Sequence, residues 1–89
     1  MNSVLTDDFL ACFRLLPERI KRQARKSYKI WKANPNHPGI DFKRVGKRLP
    51  IYSVRVGIGW RALGLKQGDT LLWFWIGPHS EYDRLLRQS

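Results

Sequence analysis

Thr70-Leu71-Leu72-Trp73-Phe74-Trp75-Ile76 runs seven residues without a charge, apolar at odd and even positions alike. A strand half in water alternates, whereas one apolar on both faces belongs in the middle of a sheet. A chain of 89 residues has room for one core. This segment therefore marks its centre.

Before it, Tyr52, Val54 and Val56 alternate with Ser53 and Arg55, the pattern of a half-buried strand. Gly57-Ile58-Gly59 makes a turn, residues 60–65 a second strand with Arg61 on one face, and Lys66-Gln67-Gly68-Asp69 a hairpin loop. Residues 42–45 are a weaker strand candidate. Gly77-Pro78 stops the sheet, and Ser80-Glu81-Tyr82-Asp83 has capping-box form for a last short helix to Arg87.

At the N-terminal end the period is helical. Thr6 supplies a capping hydroxyl, with Asp7 and Asp8 at the positive end of the helix dipole. Phe9, Leu10, Phe13 and Leu16 form one apolar face, and Pro17 ends this helix and suits the first turn of the next. Ile20, Ala24, Tyr28 and Trp31 then form a stripe. Asn34-Pro35-Asn36-His37-Pro38-Gly39 closes the second helix, with His37 structural or solvent-exposed in that turn. The expected fold is α+β, with residues 1–89 as a single domain. Two N-terminal helices pack on a three- to four-stranded antiparallel sheet, and a short C-terminal helix follows.

Charge says what such a domain meets. With 17 Lys and Arg against 7 Asp and Glu, the formal charge is +10, which points to a polyanion or an acidic partner. Seven cations (Arg19, Lys21, Arg22, Arg25, Lys26, Lys29 and Lys32) and no carboxylate occupy residues 19–32. Like charges at helical spacing repel, so an external acid is expected to compensate them. A hydrophobic content of 43% excludes a disordered basic tail. No apolar run is long enough to span a bilayer, and the first residues lack the basic start and apolar stretch of a leader. A lone Cys12, expected to be a small buried hydrophobe, excludes a disulfide framework and a cysteine-based zinc site. No histidine or carboxylate cluster has metal-ligand spacing, so neither metal nor cofactor is inferred. The cytoplasm is the expected compartment.

Gly57-Ile58-Gly59-Trp60-Arg61-Ala62 superficially matches a dinucleotide fingerprint, but that motif needs a helix to follow it. Here a strand continues, and the motif is rejected. The basic set Lys43, Arg44, Lys47, Arg48, Arg55 and Arg61 is more informative, because residues 42–68 contain no acid. Arg55 and Arg61 lie on strands, which fix where their side chains point, and the set reads as a phosphate-binding surface. His79 falls between the strand stop and the helix start. The free N–H groups there and the nearby cations disfavour imidazolium, making His79 a candidate proton acceptor. Cleaving RNA without a metal requires a base for the 2′-OH, cations for the phosphorane and an acid for the leaving 5′-oxygen. His79, Arg61 and Arg55 fit the first two roles. Tyr82 is the weaker candidate for the third, since phenols ionise near pH 10.

The chain as a whole resembles the RelE/ParE superfamily of bacterial toxins. The resemblance rests on the basic helical hairpin ending Asn34-Pro35, then Phe42-Lys43-Arg44-Val45 and Tyr52-Ser53-Val54-Arg55-Val56-Gly57. Trp60-Arg61-Ala62-Leu63 and Trp73-Phe74-Trp75-Ile76-Gly77-Pro78-His79-Ser80-Glu81-Tyr82 complete it. It implies the toxin of a toxin–antitoxin module with a cognate acidic antitoxin and no membrane partner. A RelE-like toxin cuts mRNA in the ribosome, whereas a ParE-like toxin inhibits DNA gyrase without nuclease chemistry. A non-toxic nucleic-acid-binding module is the third reading. By position the resemblance makes Arg61, His79 and Tyr82 catalytic and Lys43, Arg44 and Arg55 phosphate-binding; Lys47 joins them from the basic set. The sequence departs from the family pattern at Trp60, often tyrosine or asparagine, and at Ser80, where many members carry an arginine.

Overall fold

The computed structural model describes residues 1–88. In chain order the elements are β1 (Asn2–Leu5), α1 (Asp7–Arg14), α2 (Glu18–Ala33), a 3-10 turn (Pro38–Ile40), β2 (Lys43–Arg44), β3 (Ile51–Arg55), β4 (Trp60–Gln67), β5 (Thr70–Pro78) and α3 (His79–Gln88). The sheet has the order β1-β5-β4-β3-β2. β5 lies inside it, as its two-sided apolarity requires.

The α+β class holds, with two corrections. The sheet has five strands rather than three or four, and it is mixed, because β1 runs parallel to β5. β1 is held by its backbone, with Asn2 N–H donating to the Asp69 carbonyl at 2.9 Å and Thr6 N–H to the Trp73 carbonyl at 3.1 Å. Four mostly exposed residues carry no apolar alternation to announce such a strand. The second correction concerns the last hairpin. Lys66 and Gln67 are strand residues, and the turn is Gly68-Asp69 alone.

α1 begins and α2 ends where their sequence chemistry places them, whereas α3 starts at His79, so Ser80 lies within its first turn rather than capping it. Phe9 N–H donates to Thr6 Oγ1 at 3.2 Å, the predicted N-cap. Pro17 is the N-cap residue of α2. Ile20, Ala24, Ser27 and Trp31 form the buried stripe of α2, and Tyr28 is half-buried beside them, its hydroxyl 2.5 Å from Ser3 Oγ of β1. Cys12 is half-buried against the core.

A bulge in β5 decides which side chains reach that core. The register with β4 slips at Leu63/Gly64, so that Leu63 pairs with Trp75 and Gly64 with Trp73. Without the slip, Trp73 and Ile76 would point to opposite faces. With it, Leu71, Trp73 and Ile76 all join Ala62, Val54, Ile20 and Trp31 in one cluster. The opposite face carries Ser53, Arg55, Arg61, Leu63 and Trp75, and α3 covers part of it through Tyr82.

Candidate functional site

The ends of β3, β4 and β5 meet the start of α3 at one corner of the molecule. Arg55 pairs across the ladder with Arg61, and Arg61 with Gly77. The turn between β3 and β4 is tight because Gly57 and Gly59 take φ of 64° and 83°, a region L side chains avoid. Its outer edge closes on α3, where His79 N–H donates to the Gly59 carbonyl at 2.8 Å. One of the helix-start donors expected to be free beside His79 is therefore engaged. β5 also runs on to Pro78 rather than stopping at Gly77. Pro78 is tolerated there because β1 pairs with residues 70–73 only, leaving that side of β5 unladdered.

Arg55, Ile58, Trp60, Arg61 and His79 line a cleft of about 270 Å³ at this corner. Arg55 and His79 are exposed, and Ile58 is 98% exposed at the turn tip. Tyr82 is buried behind them. Its ring centroid lies 5.5 Å from the Arg61 guanidinium and 5.2 Å from the His79 ring. Arg55, Arg61, His79 and Tyr82 thus come together.

The other predicted cations are placed differently. Lys43 pairs with Ser53 and so shares the face of Arg55, whereas Arg44 pairs with Tyr52 and stands on the helix side. Arg44 Nε donates to the Gly46 carbonyl at 3.2 Å. Lys47 is exposed between β2 and β3 and does not line the cleft. Outside the site, His37 Nδ1 accepts from Gly39 N–H at 3.0 Å and caps the 3-10 turn.

Two carboxylates belong to the site that the sequence reading did not include. Asp83 Oδ2 lies 3.1 Å from His79 Nδ1, an i,i+4 contact along α3. Asp41 binds Arg61: Nη2 donates to Oδ2 at 2.6 Å and Nη1 to the Asp41 carbonyl at 3.4 Å. Arg61 Nη1 also donates to Ser53 Oγ at 3.1 Å. Arg61 is only 6% exposed, and Ser53, read from sequence as the polar side of a half-buried strand, is fully buried. A guanidinium buried this deeply needs its partners. The signal for Asp41 was its isolation, since no other acid occurs between Glu18 and Asp69. The signal for Asp83 was its distance of four residues from His79.

The hydrogen bond from Arg61 holds the Asp41 carboxyl below the ordinary carboxylate range; Lys43, 3.3 Å away, adds to this and burial opposes it. A lowered folded-state value means that the unfolded chain binds the proton more readily. The stabilisation is therefore complete above the pKa of an unfolded aspartate, about 4, and is lost as pH falls through the lower folded value. In urea unfolding, the stability gap between the parent and Asp41→Asn is expected to narrow from neutral pH to pH values below about 4.

On the other side of the sheet lies an apolar groove of about 190 Å³ between α1, α2 and the strands, lined by Phe9, Phe13, Tyr28, Trp31 and Trp73 with Arg25 at its edge.

A helical hairpin on one face of the sheet, a short helix on the other and a cationic cleft at the strand ends define a RelE/ParE-type toxin fold. Solved structures share it. The toxin–antitoxin complex RelB-RelE of Methanococcus jannaschii matches with a TM-score of 0.72 at 18% identity, covering 91% of this chain and 96% of that one. The RelE-RelB complex of Pyrococcus horikoshii matches at 0.67 and 15% identity, covering 86% and 92%. A copper-bound mutant toxin from Helicobacter pylori matches at 0.61 and 18%, covering 91% and 97%. No curated protein sequence matches the chain. Residues 18–84 match the family model of the ParE-like toxin domain. The chain belongs to that family, within the RelE/ParE superfamily of toxins.

Proposed function

We propose that the chain is the toxin of a toxin–antitoxin pair and acts as a ribosome-dependent mRNA interferase in the cytoplasm. One observation carries this reading: Arg55, Arg61 and His79 line a single cleft. With a neutral ring, the Asp83 carboxylate fixes the proton on His79 Nδ1 and leaves Nε2 to accept the proton of a 2′-OH. The 2′-oxygen attacks the adjacent phosphorus, and the exposed Arg55 guanidinium faces the charge that grows on the phosphorane. The bond to the 5′-oxygen then breaks, and that oxygen takes its proton from the His79 imidazolium. Tyr82, the sequence candidate for this role, is buried and does not line the cleft, and packs behind Arg61 and His79. Arg61 supports the same phosphate from below, Lys43 extends the positive face, and Arg44 and Lys47 add long-range attraction for RNA.

The neutralising partner in this reading is an acidic antitoxin. The cationic face of α2 and the apolar groove beside it suit an amphipathic acidic segment that folds on binding. Two structural relatives, from M. jannaschii and P. horikoshii, were solved with RelB antitoxins.

A second reading is favoured by the family match to ParE-like toxins: inhibition of DNA gyrase without nuclease chemistry. Pulse labelling after induction separates the two. An mRNA interferase stops amino-acid incorporation first, within minutes, while thymidine incorporation continues. The opposite order, with DNA-damage signalling, establishes the gyrase reading and removes the first. A chain that binds RNA in vitro and stops neither is a plain binding module.

A further inference from the structure

Asp41 does more than neutralise a buried charge. We propose that its carboxylate occupies the anion seat of Arg61 in the free protein, so that a phosphodiester must displace it before Arg61 can grip substrate. The proposal rests on the cleft being an RNA site and adds how that site chooses its ligand.

Carboxylates and phosphates use the same guanidinium fork. Both terminal nitrogens of Arg61 are committed to Asp41, one to the side chain at 2.6 Å and one to the main chain at 3.4 Å. A phosphate approaching those nitrogens therefore competes with a carboxylate already there. The competitor is intramolecular, so its effective concentration is high. A free phosphate or a lone carboxylate gains too little from one contact to win. A polynucleotide that also engages Arg55 and the rest of the cleft gains enough.

Asp41 is also placed to let go. Among the described residues it is the only non-glycine with positive φ (φ 45°, ψ 53°), in the loop between the 3-10 turn and β2. Its side chain is 35% exposed against 7% for Arg61. Lys43 Nζ stands 3.3 Å from the same Oδ2 and is itself 52% exposed. A carboxylate released by Arg61 thus has a second cation at hand in solvent. The guanidinium stays in place, held by Ser53 and packed on Tyr82.

The test uses the full chain and a fluorescein-labelled, 2′-O-methylated single-stranded oligoribonucleotide, which binds without being cut. Anisotropy is read at fixed salt. Asp41→Asn keeps the side-chain shape and tolerates the left-handed backbone, and it is expected to bind the probe about tenfold more tightly than the parent. The gain disappears in Asp41→Asn/Arg61→Gln. Asp69→Asn, the same charge change in the exposed β4–β5 turn, shifts binding by less than about twofold. Unchanged or weaker binding by Asp41→Asn overturns the proposal, as does a gain that survives in the Arg61→Gln background or is matched by Asp69→Asn. Circular dichroism checks folding. Asp41→Ser, neutral and too short to reach Nη2, carries the same expectation should the amide variant unfold. Because binding is read rather than cleavage, failure of the nuclease reading shows separately, in the His79 variant described below.

Discussion

Replacing His79 by alanine is expected to abolish growth arrest by the chain while leaving it folded. The imidazole is exposed on the first turn of α3, beside Asp83 and the Tyr82 ring, so its removal opens no core cavity. A positioned general base contributes about 10²–10⁴-fold to rate, and a toxin slowed that far no longer outpaces mRNA synthesis. Arg55→Ala is the companion variant. It removes an exposed cation and is expected to slow cleavage by roughly 10²-fold, the effect of losing one electrostatic contact to the transition state. Primer extension on mRNA from induced cells reads both. Cleavage ends that persist in His79→Ala would remove His79 from the chemistry. Full toxicity in both variants would move the function to another surface of the molecule, as a gyrase inhibitor requires.

The parts of this site legible in the sequence share a physical basis. Alternation fixed the side of Arg55, the two-sided apolar run put β5 inside the sheet, and the glycines marked the turn between β3 and β4. Each is a local signal read at the scale of a few residues. Asp41 was invisible at that scale, because its meaning lies in a partner twenty residues away. Ser53 was misread for the same reason: a serine alternating with apolar residues looks solvated until an arginine from the next strand covers it. β1 escaped because backbone pairing rather than side-chain pattern holds it. The bulge escaped because a slip of register leaves no composition signature, although it decides that Trp73 and Ile76 share a face.

The largest expected loss of stability falls on Trp31. It is 1% exposed, with its ring 5.3 Å from Trp73 and 5.8 Å from Phe42 at steep angles, and 6.1 Å from Tyr28 nearly parallel. It is the side chain through which α2 grips both the sheet and the segment leading to β2. Truncating a buried tryptophan to alanine costs about 3–5 kcal/mol. A chain of this length has roughly 4–13 kcal/mol in all. Trp31→Ala is therefore expected to lower the melting temperature by about 12–40 °C, at 4–8 °C per kcal/mol, or to leave the chain unfolded at 37 °C. Trp31→Phe separates packing from polarity. The indole Nε1 of Trp31 has no acceptor among the described residues, so phenylalanine removes a donor that was already unmatched and forfeits no hydrogen bond. Its expected cost is the smaller cavity alone, about 1–2 kcal/mol, with the helix still seated. Equal losses in the two variants would mean that the indole nitrogen is bound to something, and that the Trp31–Trp73 pair is more than a packing contact.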